Sequence, residues 1–207
     1  MIPRDMWLKE TFGVMTADED VIRHPREDYL SLPDSEKDKL RQTQVFTGEI
    51  VQHLGTEGAF KLIQKYDGTK GWVKACVPTT EKLFNVPRKE TSAEEFLREW
   101  KGCPYVFGGI SKSGVDCSGF TQQFFLHVHN LLLPKYSQDQ RKWGKPSEGH
   151  KDFDVYFCRP KSKPEFFHVV LYYQGEFWHS RRKGGVVIQN EEEFGRDFFL
   201  DEVRSFV

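Results

Sequence analysis

Short extended segments separated by polar turn formers are the main pattern in the first third of the chain. The predicted strands are Thr11 to Met15, Val21 to Arg23, Gly48 to His53, Ala59 to Lys65, and Gly71 to Val77. Such short and closely spaced strands predict a small all-β barrel. The polar stretch from Glu27 to Arg41, between the second and third strands, is expected to be a solvated loop or a short helix.

Helical spacing of apolar residues begins after Thr91. Ser92 and Glu95 have the spacing of a capping box, which predicts a helix start there. A second helix is predicted from the apolar residues that recur three or four positions apart after Cys117. These residues are Phe120, Phe124, Phe125, Val128, Leu131 and Leu132. Cys117 is therefore expected at or near the N-terminus of a helix.

Segments rich in β-formers return in the last third of the chain. The predicted strands are Phe153 to Cys158, Phe166 to Tyr173 and Glu176 to Ser180. The last two flank Gln174 and Gly175, which is the pattern of a β-hairpin. If these two residues form the turn, His168 and His179 project from the same face as diagonal neighbours.

Composition excludes several classes of protein. The chain has 207 residues, of which 38% are hydrophobic, enough for one large domain or two small ones with packed cores. The formal net charge is -1, so there is no general electrostatic attraction for nucleic acid. No apolar run is long enough to span a membrane, and the start of the chain lacks a signal-peptide layout. The chain as given is expected to be cytoplasmic, or exported if a leader was removed.

The four cysteines are too few and too scattered for a disulfide scaffold, and each is expected to be a free thiol. Cys117 differs from the others because the dipole of its helix shifts a thiol toward thiolate. Asp116 is expected to cap the helix or to bind a substrate ammonium, and the two roles are compatible. Either histidine alone is more often structural, but His168 and His179 together supply a base and its orienting partner.

Two parts of the chain resemble known families. The segments Thr43 to Glu49 and Tyr66 to Val73 resemble a bacterial SH3-like domain, and the match covers residues 8–80. From about residue 93 to the end, five segments resemble the NlpC/P60 cysteine peptidases. These segments are Tyr105 to Gly109, Asp116 to Phe120, Leu133 to Gln140, Phe167 to Val169, and Phe177 to Ser180. The resemblance implies an α+β papain-like catalytic domain at 93–207, preceded by a small all-β SH3-like barrel at 8–80 and a linker at 81–92.

The resemblance also implies roles for individual residues. Cys117 would be the nucleophile, His168 the general base and then acid, and His179 its orienting partner. Tyr105, with the backbone amide of Cys117, would lie near the oxyanion. The residues implied to contact substrate are Asp116, Ser118 and Ser137, together with Glu49 and Tyr66 of the SH3-like domain, which would cap an ammonium. Lys135 stands where the family usually has Arg, and no metal or other cofactor is expected.

Family members with a preceding SH3-like domain cleave between γ-D-glutamate and a diamino acid, in wall peptides with a free L-alanine amino terminus. The chain is therefore expected to be a cysteine endopeptidase acting on peptidoglycan-derived peptides. Two alternatives remain open. One is a thiol acyltransferase or amidase that uses the same cysteine and histidines, and the other is a non-catalytic module that binds wall fragments. The oligomeric state is also left open.

Overall fold

The computed structural model describes residues 11–79, 83–86 and 89–207. The chain divides into two compact units, Met1–Pro87 and Arg88–Val207. The predicted domain limits at residues 8 and 80, and part of the predicted linker at 81–92, lie outside the described residues.

The first unit is an all-β structure. Its strands are β1 (Thr11–Met15), β2 (Glu19–Ile22), β3 (Arg41–Val45), β4 (Ile50–Glu57), β5 (Phe60–Gln64), β6 (Lys70–Val73) and β7 (Cys76–Pro78). They form one seven-stranded antiparallel sheet in the order β3-β2-β6-β5-β4-β1-β7. Alternate positions along these strands place Met15, Val21, Val51 and Ile63 in a shared apolar core. The all-β character agrees with the sequence pattern, while the SH3-like assignment stays a prediction.

Two features of this sheet differ from the expected strands. The predicted strand from Gly71 to Val77 is two strands, because the backbone amides of Lys74 and Ala75 turn away to donate to the carboxylate of Glu19. Strand β3 was not expected, because its inward positions include the polar residues Arg41 and Thr43. In the stretch expected to be a loop or short helix, a short helix is present, α1 (Asp34–Leu40).

A buried ion pair in the first unit joins the residue that follows β5 to the residue that precedes β4. The ammonium of Lys65 lies 2.6 Å from Glu49 Oε1, and both side chains are fully shielded from solvent. The same ammonium donates to the carbonyl of Gln44 at 2.6 Å and lies 5.0 Å from the centre of the Tyr66 ring. The Glu49 carboxylate also accepts from the backbone amide of Phe46. Each charge is therefore compensated within the core.

The second unit combines helices with a larger sheet. Its helices are α2 (Ala93–Trp100), α3 (Cys117–His129), α4 (Ser137–Gln140) and α5 (Glu191–Asp197). Its strands are β8 (Ile110–Ser111), β9 (Gly114–Val115), β10 (Lys145–Pro146), β11 (Val155–Pro160), β12 (His168–Tyr173), β13 (Glu176–Arg181), β14 (Gly185–Gln189) and β15 (Phe198–Ser205). The last six strands form an antiparallel sheet in the order β10-β15-β11-β12-β13-β14. Across the described parts of both units, no helix has the length and apolar character needed to cross a membrane.

Apolar side chains of α2 and α3 pack against the sheet. Phe96 and Trp100 of α2 and Phe120 of α3 share a buried cluster with Val169 and Leu171 of β12. This packing holds the start of α3 beside β12, and so brings the two segments that carry the candidate catalytic residues next to each other.

The two predicted helices form, with one correction. The Ser92 side chain accepts from the Glu95 amide, which confirms the predicted cap of α2. Helix α3 ends at His129, so the prediction that it extends through Leu131 and Leu132 is wrong. Asn130 adopts a left-handed conformation with φ of 53° and ends the helix, as Asn often does at this position.

The predicted hairpin is confirmed. Tyr173 pairs with Glu176, so Gln174 and Gly175 are the two turn residues. Their φ angles are 50° and 83°, as a type I′ turn requires. The preceding strand begins at Val155 and not at Phe153 as expected, because Phe153 has a φ of 73°, which is incompatible with a strand.

Replacing Lys65 with methionine is expected to lower the free energy of unfolding by about 3 kcal/mol, because the Glu49 carboxylate would remain buried without its partner. Urea unfolding followed by circular dichroism measures the change. The double variant Glu49→Gln/Lys65→Met is expected to recover most of the loss. Lys70→Met, at an exposed position of β6, is the matched control and should cost no more than about 0.5 kcal/mol. Equal losses of unfolding free energy in Lys65→Met and Lys70→Met would contradict the prediction.

Candidate active site

The carboxylate of Asp116 organises the start of α3. Oδ1 accepts from the Gly119 amide at 2.6 Å and from the Ser118 hydroxyl at 3.0 Å, and Oδ2 accepts from the Gly108 amide at 2.7 Å. The expected capping role of Asp116 is therefore confirmed. The hydrogen bond to Gly108 also ties the preceding loop to the helix, so the cap positions both sides of Cys117.

An ammonium already faces Asp116. Nζ of Lys135 lies 3.1 Å from Oδ2 and 3.3 Å from Oδ1, and Lys135 is buried. The Lys135 side chain thus neutralises the cap from inside the protein. An incoming substrate ammonium would compete with it for the same carboxylate.

Close backbone approach explains the glycines around Cys117. A Cβ on Gly119 would lie 2.2 Å from the carbonyl oxygen of Gly109, and one on Gly109 would lie 2.3 Å from the carbonyl oxygen of Gly114. Both positions therefore exclude a side chain. The loop that precedes α3 can rest directly on the first turn of the helix.

Cys117 is the first residue of α3 and is partly exposed, whereas Cys76, Cys103 and Cys158 are buried. The expected shift of its thiol toward thiolate is wrong for the free protein. Burial of the thiol, and then the charge of Asp116, raise the pKa of Cys117 to about 12. The amide of Val169, the charge of Lys135 and the amide of Ser118 act in the opposite direction but do not outweigh them. The resting thiol is protonated at neutral pH and needs a base.

His168 and His179 lie in direct contact on neighbouring strands. Nε2 of His168 is 2.7 Å from Nδ1 of His179. His168 begins β12, next to Val169, whose amide points at the Cys117 sulphur. Cys117 therefore lies beside the start of β12, the strand that His168 begins, and His168 contacts His179.

Two further side chains extend the series of hydrogen bonds beyond His179, and the sequence pattern did not predict them as site residues. His179 Nε2 lies 2.9 Å from Gln189 Oε1, and Gln189 Nε2 donates to Asp197 Oδ2 at 2.7 Å. Gln189 ends β14 and Asp197 ends α5, two elements that the sequence pattern did not predict. The apolar run Gly185 to Ile188 followed by a glutamine was the available signal.

Both imidazoles are neutral at neutral pH. Burial, and then electrostatic interaction with His179 and Arg181, hold the pKa of His168 well below its ordinary value. Burial and Arg181 lower the pKa of His179 to about 4, against the opposing effects of Gln189 and Asp197. A neutral His168 retains a lone pair with which to take a proton.

The other predicted site residues have varied surroundings. Tyr105 is half-buried, with the guanidinium of Arg182 lying 5.3 Å from its ring centre. Ser118 is buried and its hydroxyl donates to Asp116. Ser137 is the first residue of α4 and is partly exposed. Glu49 and Tyr66 belong to the first unit, where both lie against the Lys65 ammonium.

An open cavity of about 540 Å³ is lined by residues of the second unit that include sequence neighbours of two predicted site residues. Its lining includes Gln138, which follows Ser137, and Phe167, which precedes His168. The remaining lining residues are Arg141, Lys142, Glu202 and Arg204. Within the ranges that the structure describes, no group of three or more His, Cys, Asp or Glu side chains is arranged to hold a metal ion.

Replacing Lys135 with methionine is expected to destabilise the chain by about 3 kcal/mol, because the buried Asp116 carboxylate would lose its counter-charge. The pKa of the Cys117 thiol should also rise further, because the opposing charge of Lys135 is removed. Urea unfolding gives the first quantity, and the pH dependence of Cys117 alkylation gives the second. Lys142→Met is the control, since Lys142 is exposed and pairs with exposed Asp139. It should change stability by less than about 1 kcal/mol. A Lys135 variant as stable as the control would contradict the expectation.

Acid is expected to destabilise the second unit through His179. Its pKa is about 4 in the folded chain and about 6.5 when unfolded. The unfolded state therefore binds more protons, so stability falls as pH drops from about 6.5 to about 4, by on the order of 3 kcal/mol. Urea unfolding at several pH values measures the slope. In His179→Asn, which cannot titrate, the slope should be shallower, and an unchanged slope would rule out His179 as its source.

Comparison with known proteins identifies a family model and several relatives that match part of the chain. The sequence model of the NlpC/P60 family matches residues 102–201. A probable endopeptidase of Haemophilus influenzae is 41% identical over 96 residues, which cover 45% of this chain and 60% of that protein. The murein DD-endopeptidase MepS/murein LD-carboxypeptidase of Escherichia coli is 32% identical over 112 residues, covering 53% of this chain and 58% of that protein.

A third relative is the gamma-D-glutamyl-L-lysine dipeptidyl-peptidase of Bacillus subtilis, 34% identical over 106 residues, covering 48% of this chain and 36% of that protein. Each match spans less than two thirds of the relative's length. The match to the family model, at residues 102–201, includes Cys117, His168 and His179. Residues 102–201, just under half of the chain, are therefore similar to NlpC/P60 domains, and each of these three relatives is named as an endopeptidase or a peptidase.

Proposed function

We propose that the chain hydrolyses the bond between γ-D-glutamate and a diamino acid in peptidoglycan-derived peptides, with Cys117 as nucleophile. The observation that carries this proposal is the meeting of a partly exposed cysteine at the start of α3 with the hydrogen-bonded pair His168 and His179. A binding module requires none of these three groups at one place. A thiol hydrolase requires a cysteine and a base, and the second histidine can orient that base.

The protonation states support general-base catalysis. At neutral pH the Cys117 thiol keeps its proton and His168 is a neutral imidazole, since the pKa of the first is raised and that of the second is lowered. As the sulphur bonds to the γ-glutamyl carbonyl carbon, the thiol proton passes to His168. His168 then gives this proton to the departing amine, and the C–N bond breaks. Water, activated by the same imidazole, hydrolyses the thioester and restores the thiol.

The start of α3 suits the oxyanion that forms in this reaction. The first amides of a helix have no acceptor within the helix, and the helix dipole is positive at this end. Cys117 is the first residue of α3, so its own amide belongs to this group. We propose that this amide and the hydroxyl of Tyr105 stabilise the oxyanion.

The choice of bond rests on the first unit and on one of the relatives. The E. coli relative is named for cleaving DD and LD bonds, and the B. subtilis relative for γ-D-glutamyl-L-lysine. The segments of the first unit that resemble an SH3-like domain favour the second specificity. We propose that this unit is SH3-like and that Glu49 and Tyr66 contact the free amino terminus of the peptide.

The Glu49 carboxylate is bonded to Lys65 within the first unit. An ammonium contact at Glu49 therefore requires that the substrate share this carboxylate with Lys65 or displace it. Ser118 and Ser137 are the proposed contacts in the second unit. Asp116 is the third, and it would share its carboxylate with Lys135.

Cys117→Ala is expected to abolish cleavage of an L-Ala-γ-D-Glu-diamino acid tripeptide, because the neighbouring thiol of Cys158 is buried and cannot replace it as nucleophile. Mass spectrometry of the products measures the activity. Cys76→Ala, which removes a buried thiol from the first unit, is the matched control and should cleave the peptide at the unmodified rate. Retained cleavage by Cys117→Ala would overturn the proposed nucleophile.

A panel of peptides tests the specificity in the same assay. Acetylation of the L-Ala amine is expected to reduce kcat/KM by about 100-fold or more, since a buried ion pair or charged hydrogen bond would be lost. Faster cleavage of a DD-linked dimer or an LD-linked tetrapeptide would replace the γ-D-glutamyl assignment with that of the E. coli relative. Transfer of the acyl group to an added amine, in preference to water, would identify an acyltransferase.

A further inference from the structure

We propose that Gln189 and Asp197 are positioning residues that determine which nitrogen of His168 carries the proton. This inference rests on the proposed role of His168 as the base for Cys117. It adds two residues, on elements outside the hairpin, to those on which the site depends. Neither of them touches the reacting atoms.

Asp197 determines which atoms donate and which accept along this series of hydrogen bonds. An ionised carboxylate can only accept hydrogen bonds. Burial acts to raise the pKa of Asp197, but it is outweighed by hydrogen bonds from Gln189 and Arg196 and by the charges of Arg196 and Arg181. The pKa of Asp197 therefore lies below its ordinary value. The amide atom of Gln189 that faces Asp197 must therefore be the NH₂ group, Nε2. This leaves Oε1 of Gln189 to face His179.

The Gln189 oxygen then fixes both imidazoles. Oε1 accepts, so Nε2 of His179 carries a hydrogen. A neutral imidazole has one donor and one acceptor, so Nδ1 of His179 accepts from Nε2 of His168. The remaining nitrogen of His168, Nδ1, keeps its lone pair. This is the tautomer that a base for the Cys117 thiol requires.

Several contacts make this arrangement rigid. His179 is fully buried and Gln189 nearly so. Phe198, the residue after Asp197, stacks on the His168 ring with a centroid distance of 5.1 Å and an interplanar angle of 7°. Asp197, which ends α5, therefore holds one end of the series by a hydrogen bond, and Phe198, which begins β15, holds the other end by packing.

The charged groups around the histidine pair come from two elements, β13 and α5. Arg181 of β13 lies 3.7 Å from Asp197, and Arg196 of α5 lies 3.2 Å from it. Both arginines keep the carboxylate ionised, and Arg181 also opposes protonation of the two histidines. Asp197 is thus the charged end of a series that is otherwise neutral.

An asparagine at position 197 would remove this directionality. Its amide can donate or accept, so the Gln189 amide can turn over and present Nε2 to His179. The series then reverses, and Nδ1 of His168 carries the hydrogen. This tautomer cannot accept the Cys117 proton.

The test compares Asp197→Asn with the unmodified chain by ¹⁵N NMR of histidine-labelled protein, which reports the protonated nitrogen of each ring and needs no substrate. The unmodified chain should show His168 and His179 protonated only at Nε2. Asp197→Asn should show both tautomers. Asp201→Asn is the matched control, since Asp201 is a nearby carboxylate paired with Arg159, and it should keep the unmodified tautomers.

Alkylation of Cys117 by iodoacetamide, measured by mass spectrometry of its peptide, gives the chemical consequence. The rate at neutral pH should fall about twofold or more in Asp197→Asn, since two tautomers would share the population. It should fall about tenfold in Gln189→Leu, which removes a buried hydrogen bond. The rate in Asp201→Asn should not change.

Unchanged tautomers and unchanged alkylation in Asp197→Asn would overturn the inference, as would a hydrogen on Nδ1 of His168 in the unmodified chain. Both measurements are independent of peptide hydrolysis. If the tautomers change as expected while no wall peptide is cleaved, the proposed substrate fails and the positioning role stands.

Discussion

The carboxylate of Asp116 connects the loop before α3, the first turn of that helix and the side chain of Lys135. It satisfies backbone amides that would otherwise be unpaired in a buried region. Its charge is compensated by Lys135, so the cap carries no net charge into the core. The position of the Cys117 sulphur relative to β12 depends on this arrangement. Loss of the carboxylate would release the loop and the helix start together.

The site is built to hold neutral groups before reaction. Burial raises the pKa of the thiol and lowers those of both imidazoles, so the uncharged forms are stable together. A pre-formed thiolate and imidazolium is not favoured in the free protein. Charge develops only when the sulphur attacks a carbonyl and its proton moves to His168. The amides of Val169 and Ser118 face the sulphur and act to lower the pKa of the thiol, so they favour transfer of its proton to His168.

Local sequence signals were sufficient for several elements. Ser92 and Glu95 marked the start of α2, and Gln174 with Gly175 marked a two-residue turn. These signals succeed because caps and tight turns depend on residues that are close in sequence. Strand β3 was not predicted, for the opposite reason. Its buried Arg41 is stabilised by Asp20, a partner on another strand that an alternation of apolar and polar residues cannot show.

The sequence by itself determined that a cysteine lies at a helix start and that two histidines lie on the same face of a β-hairpin. The ionisation of those groups was decided only by tertiary structure. A helix terminus favours a thiolate, but burial and the charge of Asp116 outweigh it, and both depend on neighbours brought together by folding. The same holds for Gln189 and Asp197. Their contact with His179 exists only because β14 and α5 return to the hairpin, a long-range arrangement that no local pattern encodes.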